Sequence, residues 1–255
     1  MSHSETFVEK TFKLDGRNIP YEEGDTVMDA ALRAGEYIPH LCHNPDFPPH
    51  GSCRVCVVDV NGRHECSCTL PASDNLDVDN SSEAIVTKRR TLLQMLFVEG
   101  NHTCPACEKS GACQLQAVAY SMRMLNPHFT HFFPKRSIDA SHADIVFYFN
   151  RCILCGLCVR VSRDVDKKSV FAISGRGINS RLVFNSTSGK LGDTEFSVND
   201  RAAAICPVGA ILPKHHGYEK PIGERLYDNK PINVVGDVAA NRPEKRPAGS
   251  DGPHE

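Results

Sequence analysis

The sequence predicts an α+β chain built from several small units in series. Three observations predict it. Two hairpin signals flank a short capped helix near the N-terminus, amphipathic helical stretches fill the middle, and twelve cysteines fall into three groups. The groups are Cys42 to Cys68, Cys104 to Cys113, and Cys152 to Cys158 with Cys206 far downstream. No internal repeat joins them, because each spacing differs. The 255 residues leave room for two or three small domains or one large one.

The elements follow in chain order. Residues 1–80 read as one small α+β unit. TFKLDGRNIPY offers two strands around an Asp15-Gly16 turn. Thr26 and Asp29 form a capping box, Val27, Ala30, Ala31 and Ala34 mark the apolar face of the helix it opens, and Gly35 stops that helix. CVVDVNGRHECSC gives a second hairpin around Asn61-Gly62. Strand–strand–helix–strand–strand is the outline of a β-grasp unit. Residues 81–137 read as helical. Asn80 and Glu83 can cap a helix running to Gly100 through Leu92, Leu93, Leu96 and Phe97. Leu115, Val118, Ala119 and Met122 mark a second helix, ended by Asn126-Pro127. HTCPACEKSGAC is then a loop between two helices. In residues 138–215, IVFYFN and SVFAIS read as strands, CILCGLCVRVSRD as a loop entering a helix, and DRAAAI as a short helical stretch before Cys206-Pro207. Residues 216–255 show little periodicity, and ANRPEKRPAGSDGPHE reads as a disordered or partner-binding tail.

Composition excludes several classes. A net charge of −2 gives no reason to expect nucleic acid. No apolar run approaches the roughly 20 residues that span a bilayer. MSHSETFVEK lacks the basic-then-apolar pattern of a signal peptide, so a cytoplasmic protein is expected. Disulfides are disfavoured in a reducing compartment, and C-x-x-C runs suit metal ligation better.

The ligand spacing carries the chemistry. Cys152-x2-Cys155-x2-Cys158 wraps three thiolates around one side of a cubane, and Cys206-Pro207 supplies a distant fourth. With one such motif and one such Cys-Pro, all four should share one [4Fe-4S] cluster; zinc rarely uses this triple spacing. The first group runs Cys42-x10-Cys53-x2-Cys56 and then a last cysteine on a strand. That is the order of a plant-type [2Fe-2S] site with a longer loop, although a four-cysteine zinc site on a small β unit has the same donors. Gly51 and Ser52 stand where backbone amides could donate to cluster sulfurs. Cys66 and Cys68 are two apart on the expected strand, so both face one side and either could be the fourth ligand. The middle group has only Cys104, Cys107 and Cys113, one donor short of four.

These motifs resemble a known family. YIPHLC, GSCRVCVV, CPAC, GACQLQ, CILCGLCVR, SGRG and CPVGAI, over about residues 10–215, resemble the N-terminal part of the large iron–sulfur subunit of respiratory complex I and of iron-only hydrogenases. The chain ends soon after CPVGAI, and with FVEGNHTCPACEKSGACQLQ and GYEKPIGERLYD it is most similar to the HoxU-type diaphorase subunit of soluble NAD-reducing nickel–iron hydrogenases. The resemblance implies one [2Fe-2S] and two [4Fe-4S] clusters. It places the last [2Fe-2S] ligand in a C-x-x-P context, here Cys68-Thr69-Leu70-Pro71, which leaves Cys66 spare. It also implies a histidine just before the middle group, for which His102 is the candidate, with Glu99 or a cysteine from elsewhere as competitors. His102 is two residues closer to Cys104 than the complex I pattern has it.

The resemblance further implies an electron-transfer subunit between a flavin and NAD-binding diaphorase subunit and the small and large hydrogenase subunits. FMN, NAD and the nickel–iron site are expected on those partners. The chain has no nucleotide fingerprint of its own, since SGRG lacks a GxGxxG setting. No catalytic residue is expected here. An NAD-linked formate dehydrogenase or a complex I-like assembly could use the same module, and a zinc-stabilised scaffold is the alternative from another class.

Overall fold

The structure is a computed structural model that describes residues 10–218 and 220–237. β1 (Thr11–Leu14) and β2 (Arg17–Pro20) pair antiparallel from Thr11 with Pro20 to Leu14 with Arg17. Asp15 and Gly16 between them have φ of 49° and 80°. Two successive left-handed residues make the tight turn whose twist matches a hairpin. α1 (Val27–Arg33) opens on the expected capping box: Thr26 Oγ1 accepts from the Asp29 amide at 3.2 Å and Asp29 Oδ2 accepts from the Thr26 amide at 3.1 Å. Such a cap is worth about 1 kcal/mol. β3 (Val57–Val60) and β4 (Arg63–Cys66) form the second hairpin over Asn61-Gly62.

β5 (Asp77–Asp79) completes a five-stranded sheet of order β2-β1-β5-β3-β4, parallel to β1 and antiparallel to β3. This central strand is absent from the sequence outline. Its residues, DVD, hold one apolar side chain, so no alternation marks it. It forms because its main chain fills the gap between two hairpins. Val27, Met28, Ala30 and Ala31 of α1 pack on Phe12, Leu14, Val58 and Val78, closing a β-grasp core.

The structure corrects one expectation here. Cys68 is not on a strand. β4 stops at Cys66, whose carbonyl accepts from the Thr69 and Leu70 amides, so Cys68 lies in the tight turn beyond it. Cys66 and Cys68 therefore do not alternate along one strand face.

α2 (Glu83–Val98) is capped by Ser82, whose side chain accepts from the Ile85 amide, and not by Asn80, which instead accepts from Arg89. It ends at Val98 with Glu99 as cap, two residues short of the expected Gly100. α3 (Gln114–Ser121) ends at Met122, before Asn126-Pro127. β6 (Ile138–Asp139), β7 (Ile145–Tyr148), α4 (Leu157–Asp164), β8 (Phe171–Ser174), β9 (Arg181–Phe184), α5 (Arg201–Ala204) and β10 (Ile211–Pro213) make the next unit. Its sheets are β10-β7-β6 and the β8-β9 hairpin. The strand expected over IVFYFN stops at Tyr148, and a 3₁₀ turn over Phe149–Arg151 delivers Cys152. Phe147, Phe171, Phe184 and Phe196 meet edge to face in the middle of this unit.

A second, larger core joins that unit to α3 and also takes in Leu41, Cys42, Phe47 and Val55 from the first. The loop carrying the first cysteines is therefore gripped from both sides. α6 (Ile232–Val235) returns against α3 with Ile232 fully buried. Residues 240–255, the expected tail, lie outside the described residues. Among the described residues no helix is long and apolar enough to cross a membrane.

Candidate iron–sulfur centres

The first group gathers four thiols between α1, β3 and the turn after β4. Cys56 Sγ and Cys68 Sγ stand 3.4 Å apart, and the Cys53 amide donates to Cys42 Sγ at 3.4 Å. Left-handed Gly51 and Arg54, φ 68° and 59°, bend the loop that brings this about. Thiol–thiolate bonding dominates the charge balance. The Cys53 thiol, with help from the Cys53 amide and Ser52, holds Cys42 down at about 5. The Cys66 and Cys68 thiols hold Cys56 down at about 2, while Cys53, Cys66 and Cys68 are driven far up by those same bonds and by burial. Alone, each cluster of thiols can ionise only in part. Full ionisation needs a cationic core among them, which is what an iron–sulfide core supplies. Both Cys66 and Cys68 reach Cys56. The 3.4 Å contact is made by Cys68, which is fully buried.

The second group answers to a different design. Cys104, Cys107, Cys113 and His102 line one cavity together with Phe97, Arg151 and Gly209. Cys104 begins a 3₁₀ turn over Cys104–Ala106, and Cys113 occupies the cap position of α3. The His102 ring lies edge-on to Phe97 at 5.4 Å, and its Nε2 is buried with no hydrogen-bond partner. Burial, then Arg151, Arg136 and His131, lower its pKa to about 4, against the raising effect of a hydrogen bond the ring donates to the Leu96 backbone. A neutral imidazole with one nitrogen tied to the backbone and the other free is the form that binds a metal. Glu99, the competing candidate, is exposed and does not line the cavity. Burial pushes Cys113 up to about 12 and raises Cys104 as well. A Cβ on Gly209 would stand 2.8 Å from Cys107 Sγ, so a side chain there would force that thiol to shift.

The third group winds through left-handed Leu154 and Gly156 into α4, and Cys206 follows α5. Cys155 and Cys158 are buried. Burial pushes Cys152 up to about 11 and Cys155 and Cys158 well above the ordinary thiol range, and Cys206 adds to all three. The Leu154, Leu157 and Val159 backbone amides pull the other way, as donors to sulfur do.

The three groups are contiguous, with the third in the middle. Cys42 adds to the upward push on Cys155, and Arg160 of α4 donates to the Cys42 carbonyl at 2.6 Å. On the other side, the Gln114 amide donates to the Pro207 carbonyl, and Gly209, three residues past Cys206, touches Cys107. Sequence reasoning missed several supports. Arg151 bridges Glu108 at 2.7 Å beside the second cavity. Buried His40 bonds the Ile38 carbonyl at 2.7 Å and Asp237 at 2.8 Å, which ties the end of the described chain to the Cys42 loop. No local pattern marks a pairing across that much sequence. Among the described residues no three Cys, His, Asp or Glu side chains converge tightly enough to hold a single ion.

Comparison with known proteins gives a consistent reading. Residues 9–83 match the 2Fe-2S iron–sulfur cluster binding domain family. Residues 89–128 match the NADH-ubiquinone oxidoreductase-G iron–sulfur binding region, and residues 143–212 the ferredoxin-like domain of NADH-quinone oxidoreductase subunit 3. The gamma subunit of the NAD-reducing hydrogenase HoxS of Cupriavidus necator is 44% identical over 222 residues, 87% of this chain and 94% of that one. The NADP-reducing hydrogenase subunit HndD of Solidesulfovibrio fructosivorans is 30% identical over 91% of this chain but only 40% of its own length. A chain of a crystal structure of an NAD⁺-reducing [NiFe]-hydrogenase in the H2-reduced state superposes with a TM-score of 0.88 at 54% identity, covering 91% of this chain and 99% of that chain. The chain belongs to the family of the HoxU-type iron–sulfur subunits of NAD-reducing hydrogenases, of which the HoxS gamma subunit is a member.

Proposed function

We propose that this chain passes single electrons between a flavin and NAD-binding diaphorase subunit and the small and large subunits of a nickel–iron hydrogenase, in the cytoplasm. Cys42, Cys53, Cys56 and Cys68 would hold a [2Fe-2S] cluster. His102, Cys104, Cys107 and Cys113 would hold one [4Fe-4S] cluster, and Cys152, Cys155, Cys158 and Cys206 another. Such clusters, when bound, supply one-electron carriers that join a two-electron hydride site to a distant metal site. The chain's own residues hold the three sites in fixed series, exclude water from them and set their charge. The observation that carries this reading is the contiguity of three proposed donor sets, with Arg160 of α4 bonded to the Cys42 carbonyl on one side and Gly209 against Cys107 on the other. FMN, NAD and the nickel–iron site belong to the partners in this reading.

Iron and zinc analysis of anaerobically prepared chain tests it. About ten irons per chain are expected, two from one [2Fe-2S] and eight from two [4Fe-4S] clusters. Stoichiometric zinc with little iron would refute it. NAD reduction with H2 should require added flavoprotein and hydrogenase subunits, and its appearance with the flavin-free chain alone would refute the assignment of roles.

A further inference from the structure

We propose that Arg89 and Arg160 are positioning residues that raise the reduction potential of the first cluster, by holding two buried, permanent positive charges against the backbone of its ligand loop. The inference rests on the ligand set proposed above for Cys42, Cys53, Cys56 and Cys68.

Both guanidinium groups are almost wholly buried, Arg89 at 1% and Arg160 at 8% exposure. Burying a cation is costly unless something anionic compensates it. The usual compensation is a carboxylate, and among the described residues neither has one within hydrogen-bond reach. Every hydrogen bond they make to the described residues runs to a neutral oxygen. Arg89, from α2, donates to the Val57 carbonyl at 2.6 Å, the Asn80 carbonyl at 2.8 Å and Asn80 Oδ1 at 2.7 Å. Arg160, from α4, donates to the Cys42 and Pro48 carbonyls, both at 2.6 Å. In each, Nε is buried without a partner. One anchor is the carbonyl of a ligand residue, Cys42, and the other is the carbonyl beside ligand Cys56. The two arginines thus approach the site from separate helices and attach at opposite ends of its loop.

Asp15 and Asp79 act on Arg89 only from beyond hydrogen-bond reach, and the anion at the anchored loop would be the cluster itself. A [2Fe-2S] core with four thiolates carries net negative charge, and reduction adds one more. A fixed cation close by stabilises the reduced form more than the oxidised form, which raises the potential. Burial lowers Arg89 to about 10, and Cys56 is the first charge that opposes the fall, so the side chain stays cationic at neutral pH. Arg160 lies on α4, the helix that also carries Cys158, whereas Arg89 lies on α2, which carries no cysteine. This difference gives the inference a pattern that simple damage would not reproduce.

EPR-monitored redox titration of the full chain, with Arg89→Gln, Arg89→Lys, Arg160→Gln and Arg160→Lys, tests it. Arg89→Gln should lower the midpoint of the first cluster alone. At the wild-type midpoint its reduced-to-oxidised ratio should fall about tenfold, which corresponds to 59 mV for a one-electron couple. Arg160→Gln should lower the first and third midpoints and leave the second unchanged. Both lysine variants should keep the wild-type midpoints within about twofold in that ratio, because the charge remains. Loss of the first cluster from both glutamine variants, with both lysine variants holding it at the wild-type midpoint, would support the same conclusion. Unchanged midpoints in the glutamine variants, equal shifts in lysine and glutamine variants, or failure of all four to assemble the cluster would overturn it. If the wild-type chain itself gives no [2Fe-2S] signal, the ligand assignment fails instead.

Discussion

The first and second sites use the same sulfur chemistry and balance their charge in opposite ways. At the first, thiols crowd on thiols: Cys42 bonds Cys53, and Cys56 bonds Cys66 and Cys68. Two buried arginines stand behind it. At the second, the proposed fourth donor is a neutral imidazole, and Arg151 and Glu108 meet as a pair beside the cavity. An all-thiolate site carries more negative charge and needs cations from the surrounding protein. A site with one imidazole sheds a negative charge at the ligand itself. The contrast teaches that potential can be set by the ligand or by what lies behind it, and that one chain can use both.

The largest expected effect would break the first half of the comparison. Cys68→Ser should abolish or strongly perturb the [2Fe-2S] EPR signal and remove about two irons per chain. Cys66→Ser should leave both nearly intact. Cys68 is fully buried and in 3.4 Å contact with Cys56, whereas Cys66 closes β4 and is held by its register with Val57. The reverse outcome would make Cys66 the ligand and Cys68 the spare thiol.

How much of this was legible in the sequence depends on how local each signal is. The two hairpin turns and the Thr26–Asp29 box are written within a few residues, and both kinds of signal appear in the fold as read. β5 was not legible, because DVD forms a strand only between partners distant in sequence. The same holds for β9 and β10, whose three or four residues carry no period of their own. The placement of Cys68 was misread because continuing the alternation of β4 ignores the tight turn that Cys66 accepts. His102 was suggested by resemblance, but its environment was not: the free Nε2, the Phe97 contact and Arg151 come from three separate segments. Arg89, Arg160 and Asp237 look like ordinary surface charges in a sequence, and only the packing of distant segments buries them.

A smaller effect tests the second half. His102→Ala should weaken or remove the middle cluster and leave the other two, read as a loss of up to about four irons. His102→Cys, where the cluster assembles, should keep it and lower its midpoint. A thiolate in place of a neutral imidazole makes the core more negative and harder to reduce, the direction opposite to that of the histidine ligands in Rieske centres. An unchanged midpoint and iron content in both variants would mean that His102 is no ligand, and the contrast between the two sites would then vanish.

The smallest change asks whether Cys107 is held in place at all. A Cβ at position 209 would meet Cys107 Sγ at 2.8 Å, a Lys109 Cβ at 3.1 Å and the Arg151 guanidinium at 3.6 Å. The first distance is too short for a real contact, so something must move. A free thiol moves easily, by turning about χ1 into another staggered well at little cost. A thiolate fixed to iron cannot turn without breaking its bond, so the strain passes into the metal site. Gly209→Ala should therefore leave the thermal stability of the apo chain nearly unchanged, within about 0.5 kcal/mol. In the anaerobically loaded chain it should change the line shape of the middle cluster and speed its loss of iron under a chelator. The first cluster, which Gly209 does not touch, serves as the internal control. Equal iron retention and an unchanged spectrum at the middle site would show that Cys107 is free to rotate, and would remove it from the ligand set.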